Sequence, residues 1–223
     1  MVSTRFVLFS AVFALSTTTL SAQADPDRTV AGGGSFPAGW RVRTDVNRRT
    51  GQPGDLANVK FSNMGPGGMH TTVGPAAIYW RDADTASGNY HLVTTLTQMV
   101  ATAHREGFGI FFGGRSLGDS GQSYTYFLVS PLSGEFTIRR RTGATTAAVV
   151  DWTANAAVVK ADSAGKANNE LSVAVRGGKV SFMVNGKEVY SADAGSVDTR
   201  GVVGYRVNHN LDVHLGPLGI HKL

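Results

Sequence analysis

Glu106 and Glu135 each precede a run of alternating apolar residues, Phe108-Ile110-Phe112 and Phe136-Ile138. Hydrolysis of a glycosidic bond normally needs two carboxylates about 5–9.5 Å apart, one protonated and one ionised. Glu106 is the candidate acid by position, but its partner is not evident. A tight acidic spacing occurs at Asp82-Ala83-Asp84, in a stretch read as a loop bounded by Ser87, Gly88 and Asn89. Those hard oxygens suit calcium, with Asp82 and Asp84 as the ligands, although turn formation accounts for the same residues. Serine catalysis finds no support, because Gly118-Asp119-Ser120-Gly121 lacks the G-x-S-x-G spacing. The six histidines (His70, His91, His104, His209, His214 and His221) contain no H-E-x-x-H pair. A zinc site would have to bring His91 and His104 to a distant third ligand. With no cysteine in the chain, thiol catalysis and thiolate metal sites are excluded.

A second group of residues suits recognition rather than reaction. Trp80, His91, Arg115, Tyr126, Arg139, Arg141, Tyr205 and His209 are the types that hold sugars. Aromatic rings stack on C–H faces, and guanidinium and imidazole groups bond hydroxyls and carboxylates. Gly109 and Gly113 would let a ligand approach a bare strand. Each residue also has a plain structural role open to it: Trp80 and Tyr126 as core, Arg139 and Arg141 as decoration of a wet strand. Carbohydrate binding by this chain predicts an exposed aromatic beside Arg or Asn on the concave sheet. Burial of Trp80, Tyr126 and Tyr205 together would count heavily against it.

These groups must be positioned by strands, since no window after the N-terminal segment keeps helical apolar spacing. Tyr90-Leu92-Thr94-Leu96, Tyr124-Tyr126-Leu128, Leu171-Val173-Val175, Val180-Phe182-Val184, Val203-Tyr205-Val207 and Val213-Leu215 alternate with period two. One-sided alternation is the mark of antiparallel sheets. Glycine, at 28 of 223 residues, sits at the breaks between runs and so supports an all-β sandwich or barrel. Asn185-Gly186 between two runs is the strongest short hairpin signal, because both turn residues need positive φ. Arg176-Gly177-Gly178 makes a second break, giving a three-strand meander over residues 169–191. The tip reads as structural punctuation. One more strand is expected over residues 40–43, in a Gly- and Arg-rich arm that would wrap an edge.

Residues 1–24 read as a secretory leader: Arg5, an apolar stretch over 6–15, and Ala22-Gln23-Ala24 as the cleavage box. The apolar stretch falls short of the ~20 residues a membrane span needs. Removal leaves about 199 residues, read as one domain over 25–223 that is large enough to fold without disulfides. Export without cysteine points to a bacterial protein that is secreted or periplasmic. The net charge of +5 with 17% charged residues lacks the dense basic stripe of a nucleic-acid binder. Arg139-Arg140-Arg141 alternate faces on a strand and form no single patch.

The closing segment resembles the last strands of a concanavalin A-like jelly roll. The features that carry this are Asn169-Glu170-Leu171, the Asn185-Gly186 hairpin, Gly201-x-x-Gly204 and a final strand ending Leu218-Gly219-Ile220. The stretches GNYHLVTTLTQM, GFGIFFGGRS and YTYFLVSPLSGEFTIRRRTG are similar to the strands that open such a core. The laminin-G-like and 3-keto-disaccharide hydrolase-like branch is the most similar. The resemblance spans residues 80–223 and implies a two-sheet antiparallel sandwich with a carbohydrate ligand on its concave sheet or rim loops. Arg115 resembles the basic residue that follows the glycine-flanked aromatic strand in this branch. Catalytic members often place acids at i, i+2 and i+4 on one strand, and no E-x-D-x-E occurs here. The resemblance therefore implies a secreted carbohydrate-binding domain, with a glycoside-active hydrolase or a laminin-G-like protein-interaction domain as alternatives.

Overall fold

Alternation along Tyr90–Gln98 sorts its side chains cleanly: Tyr90, Leu92, Thr94 and Leu96 are buried while Thr95 is exposed. A strand with one oily side must cover it against another layer, and the computed structural model, which describes residues 26–47 and 49–223, contains two such layers. The leader read over residues 1–24 lies outside the described residues. The strands in chain order are β1 (Arg41–Thr44), β2 (Val59–Asn63), β3 (Met69–Val73), β4 (Ala77–Ala86), β5 (Tyr90–Gln98), β6 (Phe108–Arg115), β7 (Ser123–Ser130) and β8 (Glu135–Thr142). They continue as β9 (Thr145–Ala154), β10 (Ala167–Arg176), β11 (Lys179–Val184), β12 (Lys187–Asp193), β13 (Gly201–Val207), β14 (Asp212–Leu215) and β15 (Gly219–Lys222). Short 3-10 turns occupy Leu56–Asn58 and Ala194–Ser196.

One sheet has seven strands in the order β1-β4-β13-β6-β7-β8-β9. The other has eight, β12-β11-β10-β5-β14-β3-β2, with β15 continuing along β5. Every pairing is antiparallel. The late strands β13 and β14 insert between early ones, β13 between β4 and β6 and β14 between β3 and β5. This is the two-sheet jelly-roll sandwich that the resemblance implies, and it decides between the sandwich and barrel left open by the residue pattern.

The core between the layers takes Phe108, Ile110 and Phe112 from β6, Phe127 from β7 and Phe182 from β11. Phe182 lies 5.9 Å from Phe112 and 5.4 Å from Phe127, ring centre to ring centre. Tyr205 also points inward. Its ring stacks on Trp40 at 5.9 Å and its hydroxyl donates to the Gly216 carbonyl at 2.5 Å. It is therefore a core residue, and beside Trp40, Asn63 and Arg81 it forms the floor of a small pocket of about 160 Å³. The two short breaks in the meander are turns with positive φ at both positions, Asn185 and Gly186 at 51° and 73°, Gly177 and Gly178 at 58° and 76°.

One expectation needs correcting. Asp82 and Asp84 stand within β4 rather than in a loop. β13 holds that part of β4 through the Val202–Thr85 and Gly201–Ala86 pairs, so polar side chains can face water without ending the strand. The strand expected over residues 40–43 is β1 (Arg41–Thr44), and it lies at a sheet edge as the arm reading has it. Arg28 donates to the carbonyls of Val73 and Leu211, and β1 closes the seven-stranded sheet beside β4.

Candidate functional site

Arg41, Trp80, Gly204, Phe111, Tyr126 and Arg139 are successive partners across the seven-stranded sheet. Six of the expected sugar-binding residues belong to this sheet: Trp80, Tyr126 and Arg139 in that row, Arg141 two residues along β8, Arg115 at the end of β6 and Tyr205 on β13. The outer face is, however, a second apolar layer. Ile78, Trp80, Phe111, Leu117, Tyr124, Tyr126 and Leu128 pack together, with Trp152 and Val202 against them. A Cβ at Gly204 would come within 2.7 Å of the Phe111 ring, and one at Gly107 within 2.6 Å of Trp152. The glycines admit the chain's own rings. Gly109 and Gly113 are likewise covered, by the carbonyls of Phe127 and Asp198. Trp80 is 3% and Tyr126 5% exposed, so neither is a stacking platform, and the expectation of one there is corrected.

Above this layer lies a charged knot that joins distant parts of the chain. Arg206 grips Asp45 with two bonds of 2.7 and 2.6 Å, and Arg141 donates to the same carboxylate at 2.8 Å. The Arg206 guanidinium sits 5.6 Å from the centre of the Tyr126 ring, and that of Arg141 6.0 Å from Tyr124. Burial pushes the Asp45 carboxyl up, but Arg206, Arg141 and Arg43 outweigh it and hold the carboxyl below its usual range. Part of the outer face is thus occupied by a side chain from the N-terminal arm.

An opening lies at one end of the sandwich. A cavity of about 400 Å³ is lined by Gly113, Ser123, Tyr124, Thr125, Arg140, Arg141, Gly195, Val197 and Asp198. It sits where β7 begins and β8 ends, against the turn leading to β13. Arg140 donates to the Ser196 carbonyl and so ties that turn to β8. Asp198 accepts from Arg115 at 2.7 Å. That bond lowers the Asp198 carboxyl pKa despite partial burial, helped by the Arg200 amide and charge. Within the lining residues, Thr125 Oγ1 and Arg141 Nε are buried without a hydrogen-bond partner. Such groups are rare unless something satisfies them.

At the opposite end, about 23 Å away along the eight residues of β6, Glu106 meets His209. The His209 Nε2 lies 2.6 Å from Glu106 Oε1, and its Nδ1 3.4 Å from Asp27. The bond to Glu106 raises the His209 pKa against the pull of burial, and the charges of Glu106 and Asp27 add to it. A raised histidine stabilises the fold fully below its unfolded value of about 6.5. That contribution is lost as pH rises through the folded value. Glu106→Gln is expected to bring the His209 titration down towards 6.5 by NMR. It should also remove about 1–2 kcal/mol of stability at pH 6 and much less at pH 9.

No protein-family model matches this sequence, and none of the curated proteins does. Solved structures match it by shape. A carbohydrate-binding module, CBM66, from Bacillus subtilis superposes with a TM-score of 0.58 at 10% identity, over 87% of this chain and 100% of the module. A Bacillus subtilis protein of unknown function with a galectin-like fold gives 0.58 at 14% identity, over 82% and 89%. A family 7 alginate lyase bound to its product gives 0.52 at 10% identity, over 82% and 95%. The fold is a concanavalin A-like jelly roll. At these identities the likeness is one of fold, and function must be argued from the site.

On this jelly roll the remaining candidates are dispersed. His91 lies on the other sheet, opposite His221 on β15, with ring centres 6.4 Å apart. Arg139 pairs with Asp151 at 2.9 Å, and Arg115 stands at the cavity's edge through Asp198. Asp82 accepts from Arg41 and from the Trp80 indole, while Asp84 takes a two-pronged bond from Arg81. Both carboxylates are thus committed to cations of the chain, and among the described residues no group of three or more acids and histidines is arranged to hold a metal. Sequence reading missed Asp45, Arg206, Tyr124, Arg140 and Asp198. Only the unbroken apolar character of β7, buried from Tyr124 to Ser130, could have signalled that both its faces are covered.

Proposed function

We propose that this protein is an exported glycan-binding domain that holds its sugar in the end cavity between β7, β8 and the 194–198 turn. The observation that carries the reading is the chemistry of that cavity. Ser123 offers a hydroxyl, Arg140 a guanidinium donor and Asp198 a carboxylate, around a space of about 400 Å³. That volume lies within the range of small-ligand sites, about 300–1,000 Å³. A sugar ring presents hydroxyls that need both donors and acceptors, and this wall supplies both. The carbohydrate-binding module and the product-bound alginate lyase among the matched structures add support by fold. Export rests on the leader read over residues 1–24. No helix among the described residues is long and apolar enough to cross a membrane.

The hydrolytic alternative depends on Glu106. Its carboxylate and His209 bind one another at the far end of β6, so the cavity and the acid–imidazole pair do not serve one sugar ring. A glycan-array screen of the purified protein tests the binding reading. Retention of defined glycans is expected, and Ser123→Tyr, which fills the cavity mouth, should abolish it with the melting temperature unchanged. Retention of no glycan, or retention indifferent to that substitution, overturns it.

A further inference from the structure

We infer that the glycan held in the end cavity is acidic, a saccharide carrying a carboxylate or a sulfate ester. This rests on the cavity being the glycan site. The inference comes from a count of charges around it. Arg140 and Arg141 line the space, Arg115 grips Asp198 at its edge, and Arg200 adds its charge beside the same carboxylate. Against these four cations stand Asp198 and Asp45. Asp45 is not available to Arg141 alone, since Arg206 holds both of its oxygens. Arg140 donates to a neutral carbonyl, that of Ser196, and faces no carboxylate among the described residues.

The surplus is therefore positive and concentrated at one end of the sandwich. A guanidinium matches carboxylate and sulfate oxygens with two parallel bonds, which a neutral hydroxyl does not offer. Arg141 Nε is buried without a partner while its Nη2 holds Asp45, so the exposed cation of this wall is Arg140. A neutral sugar would leave these charges uncompensated when it displaced water from the cavity. An acidic one neutralises them, and low-dielectric walls strengthen that attraction. The cost of holding several arginines near one another is then offset by the ligand.

The test is calorimetric titration of the purified protein with three oligosaccharides of equal length: one neutral, one bearing uronate carboxylates and one bearing sulfate esters, each at 50 mM and 300 mM sodium chloride. At least one acidic member is expected to bind about tenfold or more tightly than the neutral one, with affinity falling as salt rises. Arg140→Gln is expected to reduce that preference to threefold or less while leaving the melting temperature unchanged. The carboxylate and sulfate arms tell which anion is recognised. Equal affinity for neutral and acidic members overturns the acidic assignment and leaves the glycan cavity standing. Full retention of the acidic preference in Arg140→Gln also overturns it. Binding of none of the three, together with an empty glycan array, removes the cavity reading itself.

Discussion

Asp45→Ala is expected to cost about 3–5 kcal/mol, the effect of breaking a buried ion pair by removing one partner. The carboxylate is the shared counter-ion of Arg206 and Arg141, which are 4% and 7% exposed. Without it, two guanidinium groups remain between aromatic rings with their charges unmatched. In a domain of this size each kcal/mol moves the midpoint by roughly 2–4 °C, so thermal unfolding should show a drop of about 6–20 °C. The loss belongs to the uncompensated charges and not to the space Asp45 fills. Replacing Asp45, Arg206 and Arg141 together with apolar residues of similar size should therefore recover much of it. A triple variant as unstable as Asp45→Ala would show that the knot contributes through packing instead.

The same carboxylate gives a pH signature. Its folded pKa is depressed, since Arg206, Arg141 and Arg43 together exceed the upward pull of burial. Its contribution is present above the unfolded value of about 3.9. It disappears as pH falls through the lower folded value. Wild-type protein should lose stability across that acid window faster than Asp45→Ala does.

How much of this was legible in the sequence depends on which faces meet water. β5, β10 and β11 alternate because one side of each is wet, and the two-residue turns declare themselves through Asn185-Gly186 and Gly177-Gly178. β9 gave no signal because it is a solvated sheet edge with no buried side chain along ten residues. The aromatic residues of β7 were legible as a strand but not as a doubly covered one, so Tyr126 was read as a sugar platform when it lies beneath Arg206. Asp45 was beyond reach altogether. Its partners stand 96 and 161 residues away, and no local spacing marks a carboxylate for a distant arginine. Arg115 and Arg141 were found by residue type, and both adjoin the cavity. Arg140 is not among the expected sugar-binding residues, and alternation along the strand denies the three arginines a single patch. That reasoning holds for the sheet, but the cavity lies at a strand end where the chain supplies a third wall, the 194–198 turn.

Asn185→Gly gives the second large effect, and it separates two roles of one side chain. If Asn185 serves only to adopt φ of 51°, glycine serves as well and the change should fall within a few tenths of a kcal/mol. The side chain does more than permit a turn. Its Oδ1 accepts from the Glu170 amide at 2.8 Å, and its Nδ2 donates to the Ala157 carbonyl at 2.7 Å and to Asn169 Oδ1 at 2.9 Å. Asn169 is fully buried and in turn bonds both the amide and the carbonyl of Val159, at 2.8 and 3.0 Å. The hairpin tip thus staples the long connection between β9 and β10 to the sheet. Three lost bonds at about 1 kcal/mol each, with the added freedom of glycine in the unfolded chain, bring the expected cost to roughly 3–4 kcal/mol. Amide exchange locates the damage: protection at Val159 and Glu170 should fall well before that of the β5–β10 ladder. Unchanged protection at those two amides would mean that the connection is held by its own packing, and that Asn185 is a turn residue alone.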